Sequence, residues 1–132
     1  MKVLVDTTIW SNAFRSKKPK YAGHVNTLID LISSNKVLIL GVIKQEILSG
    51  YSELSKFNQL KNKLNPFENT QILDEDYIQA AQFSNTCRSR GIQGSTVDFF
   101  ICAVAFRLNV AIFTTDKDFY HYQKHIPIKL LP

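Results

Sequence analysis

Cysteine, glycine and long apolar runs are all scarce in this 132-residue chain, and each shortage excludes something. Only Cys87 and Cys102 occur, both inside helical patterns, so no disulfide framework is expected and a reducing, cytoplasmic setting fits. No apolar run approaches the roughly 18 to 20 residues of a membrane helix. Lys2 is followed by an apolar run too short for a secretory signal, so none is expected. The glycines form no GxGxxG, GxxxxGK[ST] or GxSxG pattern, which removes the usual dinucleotide, P-loop and nucleophile-elbow chemistries. His121 and His125 stand four apart, but without an HExxH motif they are expected to be solvated. There is no internal repeat and no low-complexity linker.

What is present is an ordinary globular composition, 45% hydrophobic and 20% charged, long enough for one domain spanning 1–132 with a real core. Lys and Arg number 16 against 11 Asp and Glu, for a net charge of +5. Setting aside four carboxylates gathered in one site leaves 16 against 7, or +9, over the rest of the surface. Such a field favours a polyanionic partner, nucleic acid above all.

The apolar segments at 2–5, 36–40 and 110–115 do not alternate, and helical patterns separate them. This predicts a mostly parallel sheet covered on both faces, an α/β fold. Helices are predicted over "TTIWSNAFR", "HVNTLIDLISSN", two runs between Val42 and Pro66 broken near Gly50, a run capped by Asp74 and ended by Gly91, and "STVDFFICAVAFRLN". The last of these is apolar on nearly every side and hence central. Gly41 is expected to break the second strand, "TQIL" at 70–73 and "IKLL" at 128–131 to form short strands, and "DKDFYHYQ" a helical turn. Trp10 and Phe14, four apart, belong to the core, as Phe57 and Leu60 belong to a packed helix face.

In an open parallel sheet, sites form beyond the carboxyl ends of the strands. Asp6 ends the first strand, Glu46 lies in the helix after the second, Asp98 opens the central helix, and Asp116 follows the strand at 110–115. Taken singly, each is better explained by capping or solvation. Ser95-x-x-Asp98 fits a capping box, and Thr115-x-x-Asp118 fits another, which makes Asp118 structural. Four acids converging on one edge are not so explained. Two carboxylates about 4 Å apart repel by about 4 kcal/mol at an effective dielectric near 20. An all-oxygen set therefore calls for a hard cation, Mg²⁺ or Mn²⁺ and not zinc. Thr7 and Thr115 stand beside two of the acids, placed to hold a water or orient a carboxylate. Arg15, Lys17, Lys18 and Lys20 form a basic stretch that either flanks the site along an RNA backbone or is simply solvated. Tyr51 and Phe57 with Lys56, Lys61 and Lys63 form either another RNA surface or a helix that simply packs on one face.

"VLVDTTIW", "IKQEILSG" and "RSRGIQGSTVDFFICAVAFRLNVAIFTTDKDFYHY" together resemble a PIN-domain ribonuclease of the VapC toxin type, over nearly the whole chain. The resemblance implies a three-layer α/β/α fold, a Mg²⁺ or Mn²⁺ site and cleavage of RNA phosphodiesters. It implies metal ligands at Asp6, Glu46, Asp98 and Asp116, with Asp118 at a further acidic position of many members. It also implies a homodimer and an antitoxin that blocks the site. Two departures are mild: Cys102 interrupts the Ile-Ala-Ala run after Asp98, and Thr7-Thr8 keeps only the hydroxyl part of the segment after Asp6.

Three other classes compete with this reading. A non-catalytic RNA-binding module of the same fold is disfavoured by the intact acidic set. A haloacid dehalogenase or receiver domain is disfavoured because position 8 is Thr and Asp6 has no acidic partner beside it. A structural or antitoxin-like scaffold would carry buried acids at needless cost.

Overall fold

The computed structural model describes residues 1–15 and 18–132. Strand β1 (Val3–Val5) leads into α1 (Thr7–Arg15), a single 3₁₀ turn (Pro19–Tyr21) and α2 (Ala22–Ser33). Strand β2 (Val37–Leu40) runs straight into α3 (Gly41–Ser49), followed by α4 (Leu54–Leu64) and β3 (Asn69–Thr70). Helices α5 (Asp74–Ser89) and α6 (Thr96–Leu108), strand β4 (Ala111–Phe113) and α7 (Asp118–Gln123) complete the order.

The four strands form one parallel sheet in the order β3-β2-β1-β4. Val3 pairs with both Val37 and Ala111, and Leu4 with Leu38 and Ile112, so β1 is central. Leu4, Val5, Leu40 and Ile112 are fully buried, as the lack of alternation predicts for strands covered on both faces. Among the helices, α1 packs on α2 and α3, α3 on α4, and α5 on α6, giving the α/β/α layering. Helix α6 is the central one: Ile101, Cys102, Ala103 and Val104 are all fully buried. Trp10 is core, its Nε1 donating to the Val5 carbonyl and its ring set edge-on to Phe67. No described helix is long and apolar enough to cross a membrane.

Three local expectations are corrected. Gly41 does not merely stop β2; it is the first residue of α3, so the strand-to-helix turn is immediate. The stretch 128–131 is reduced to a single bridge, Ile112 with Leu130. Asp74 is not the cap of α5: Leu73 occupies that place, and Asp76 accepts its backbone N–H at 2.8 Å.

Asp76 does more than cap. Its carboxylate is 1% exposed and takes Arg107 Nε and Nη2 at 2.8 and 3.0 Å, while Nη2 also donates to the Gln71 carbonyl. The pair joins the start of α5 to the end of α6. Arg107→Ala is expected to cost about 2 kcal/mol, less than the ~3–5 kcal/mol of a fully buried pair because Arg107 is partly exposed and water can reach the acid it leaves. Urea or thermal unfolding checks this, with a fall in melting temperature of roughly 8 °C.

Candidate active site

The parallel sheet sends the ends of β1 and β4 to the same edge, where Asp6 donates its backbone N–H to the Phe113 carbonyl at 2.9 Å. Asp6 and Asp116 follow these strands, Glu46 projects from α3 after β2, and Asp98 sits in the first turn of α6. All four line a single cleft of about 510 Å³, together with Thr7, Thr8, Gln93, Gly94, Ser95 and Asp118. The described lining thus holds five carboxylates and neither Lys nor Arg.

Each acid is held by specific donors. Asp6 is 3% exposed, and its Oδ2 accepts from Thr114 Oγ1 at 2.7 Å and Thr8 Oγ1 at 2.9 Å. Burial raises its proton affinity, partly offset by these hydroxyls and by the Thr7 and Thr8 amides. Glu46 Oε1 accepts from Thr7 Oγ1 at 2.5 Å. Asp98 accepts from Tyr122 Oη at 2.6 Å, while its backbone N–H donates to Ser95 Oγ at 3.1 Å. Its pKa is raised to about 6, chiefly by burial and further by the charges of Asp6 and Asp116, against the pull of the Tyr122 and Ser95 hydroxyls.

Asp98, Asp116 and Asp118 each present a carboxylate oxygen within 4.8 Å of the other two. The expected Thr115-x-x-Asp118 capping box is corrected by the start of α7. Helix α7 takes Lys117 at its N-cap with no side-chain cap, and the Asp118 N–H instead donates to Asp116 Oδ1 at 2.9 Å. Thr115 does not cap this helix either; its N–H donates to Thr8 Oγ1 at 3.2 Å. The box pattern misleads because the aspartate that receives the amide is two residues before Asp118, in an Asx turn. Thr7 does orient a carboxylate, but the hydroxyls on Asp6 are those of Thr8 and Thr114, and Asp116 N–H donates to Thr114 Oγ1 at 2.9 Å.

The donor set fits a hard divalent cation. Every candidate ligand is an oxygen, and the cleft acids lack the arginine that neutralises the other buried acid, Asp76.

The described part of the basic stretch does not line this cleft. Arg15 lies with its guanidinium 4.6 Å from the Tyr51 ring centre and Nε donating to Tyr51 Oη, and Lys20 sits over Tyr21. Lys18 precedes the 3₁₀ turn, and Lys17 falls outside the described residues. Arg15, Lys18 and Lys20 are not among the cleft residues. His121 and His125 are exposed, as expected.

Thr8, Thr114, Gln93, Gly94 and Tyr122 belong to the cleft or support it and were not singled out by spacing. For Tyr122 one signal existed: Phe119 and Tyr122 are three apart on a helical turn, which marks an inward face.

A family model described as PIN domain matches residues 3–125. Comparison with curated proteins returns no match. Among solved structures, the fold is similar to VapBC2 from Rickettsia felis, bound to a DNA fragment from their promoter, with a TM-score of 0.79 and 16% identity over 99% of this chain and 98% of that one. FitAcB from Neisseria gonorrhoeae gives a TM-score of 0.75 at 18% identity, covering 98% and 96% of the two chains. VapBC-1 from nontypeable Haemophilus influenzae gives 0.73 at 13% identity, covering 99% and 97%.

Proposed function

The chain belongs to the PIN domain family, and from that premise we propose that it is a Mg²⁺- or Mn²⁺-dependent endoribonuclease, the toxin of a toxin–antitoxin pair. One observation carries the catalytic part: five carboxylates share a cleft whose described lining has no Lys or Arg, whereas the acid with a purely structural task, Asp76, is matched by Arg107. The toxin assignment is supported by the VapC-like motifs and by the similarity to VapBC and FitAB chains. The same resemblance supports a homodimer and an antitoxin that covers the cleft, the length supports a single nuclease domain over 1–132, and the scarcity of cysteine fits a cytoplasmic setting.

Asp98, Asp116 and Asp118 would hold the ion, with Asp6, Glu46 and their hydroxyl partners completing the set directly or through water. When bound, a divalent ion supplies Lewis acidity at the scissile phosphate and activates water for attack. The chain's own residues prepare for this. Thr8 and Thr114 fix Asp6, Thr7 fixes Glu46, and the Asp118 amide fixes Asp116, so the carboxylates are oriented before any ligand arrives. Arg15, Lys18 and Lys20, which are not among the residues lining the cleft, would contact the RNA backbone through charge, with Lys17 of the same basic stretch as a further candidate.

The test is cleavage of a total cellular RNA pool by purified chain, stripped of any co-purified antitoxin, with Mg²⁺, Mn²⁺ or EDTA. Metal-dependent fragments that vanish in EDTA are expected. RNA bound but never cut in any metal would replace this reading with that of an RNA-binding module, and RNA neither bound nor cut would remove RNA as the substrate.

A further inference from the structure

The group that anchors Asp98 comes from outside the acidic set. We propose that Tyr122 is a positioning residue that fixes the Asp98 carboxylate for the ion, and that Gly94 is glycine so that the Tyr122 hydroxyl can reach it; this rests on the metal-site reading above.

Tyr122 has no exposed surface, and its ring is wedged against Phe99 and Phe119, with centroids 5.0 and 5.2 Å away. A ring so packed has few ways to move, and its hydroxyl must find a partner. The partner is Asp98 Oδ2 at 2.6 Å, within the range of a charge-assisted O–H···O⁻ bond.

Asp98 is thereby fixed twice. Its main chain is set by the bond from its N–H to Ser95 Oγ, and its carboxylate by a rigid donor from α7. With one oxygen tied, the carboxylate keeps one orientation toward Asp116 and Asp118, the two acids that share its 4.8 Å cluster.

Gly94 is the independent observation. A Cβ at this position would stand 2.3 Å from Tyr122 Oη and 2.8 Å from Phe99 Cε2. Its backbone is not the reason for glycine, because among the described residues the only glycine with positive φ is Gly91. The absent side chain of Gly94, at the wall of the cleft, is what leaves room for the buried hydroxyl.

The experiment is calorimetric titration of the full chain with Mn²⁺ alone, for wild type, Tyr122→Phe, Gly94→Ala and the double variant. Tyr122→Phe removes one oxygen and is expected to weaken Mn²⁺ binding by about tenfold to hundredfold, as for other groups that orient metal ligands. Gly94→Ala retains the hydroxyl but displaces it, so it too should weaken binding and stands in should Tyr122→Phe fold poorly. Because both act on one bond, the double variant should bind no more weakly than the weaker-binding single. A merely satisfied buried hydroxyl would affect melting and leave affinity within twofold of wild type, which overturns the inference, as would additive losses. Wild-type Mn²⁺ binding with unaffected variants leaves the metal site standing and removes only the role of Tyr122. No Mn²⁺ binding by wild type removes both.

Discussion

Asp98→Asn should lower metal-dependent RNA cleavage by more than about 100-fold, the equivalent of roughly 3 kcal/mol, while leaving the metal-free chain at least as stable as wild type at pH 7. The two halves have one cause. A carboxylate in the first turn of a helix is normally stabilised by the helix dipole. Asp98 has that placement and the Tyr122 donor, yet its pKa is raised to about 6, because burial and the charges of Asp6 and Asp116 outweigh them. At pH 7 the native chain without metal therefore carries an ionised group it holds less well than the unfolded chain does. Asparagine keeps the shape and an acceptor for Tyr122 but removes the charge, so repulsion falls. The same loss of charge takes away one of the three carboxylates proposed to hold the ion, the others being Asp116 and Asp118. The buried acid of the other kind gives the contrast: Asp76→Asn breaks its pairing with Arg107 and should only destabilise. Melting curves in EDTA beside cleavage rates in Mn²⁺ decide the matter. An Asp98→Asn chain that cuts like wild type, or melts well below it without metal, would show that this carboxylate is structural.

Much of this arrangement is legible in the chain because it follows from elements with strong patterns. The strands at Val3–Val5, Val37–Leu40 and Ala111–Phe113 show themselves by uninterrupted apolar residues, and a parallel sheet then places Asp6 and Asp116 at one edge. The start of α6 is visible from Ser95, which caps it as its spacing from Asp98 suggests. What spacing does not contain is the choice among neighbouring hydroxyls and carboxylates. Thr7 and Thr8 are adjacent, but one serves Glu46 and the other Asp6, since successive residues at a helix start point in different directions. Asp116 and Asp118 are separated by one residue, and the chain turn that lets both reach Asp98 is set by the Asp118 amide bonding to Asp116. The contact between Tyr122 and Asp98 spans 24 positions and depends on how α7 packs on α6, a tertiary fact with no local period. Asp74 and Asp76 show the same limit: both suit a helix start, and burial beside Arg107 selects the second.

The rise in melting temperature caused by Mn²⁺ should grow as pH increases through 6. The sign follows from the direction of the shift. The Asp98 pKa is raised from 3.8 to about 6 in the native chain, so between these values the native state binds more protons than the unfolded state. The contribution of this group to metal-free stability is then fully present below the unfolded pKa and is lost as pH climbs through the native one. Asp6 is shifted the same way by burial. Metal-free melting should accordingly drift down across this window on account of Asp98, with Asp6 acting in the same direction. The ion has the opposite requirement, since it needs the ionised carboxylate and competes with the proton below the native pKa. With free Mn²⁺ at about 100 times its Kd at pH 7.5, binding adds ~2.7 kcal/mol, or roughly 10 °C in a chain of this size. At pH 5, about one unit below the Asp98 pKa, apparent affinity falls about tenfold and the shift shrinks to about half. Asp98→Asn should flatten that dependence along with weakening the binding. Thermal melts at matched free Mn²⁺ and ionic strength across pH 5 to 7.5 measure it. A shift of equal size at both ends would mean that the ion does not rely on Asp98, and would move the site toward Glu46 and Thr7 in the same cleft.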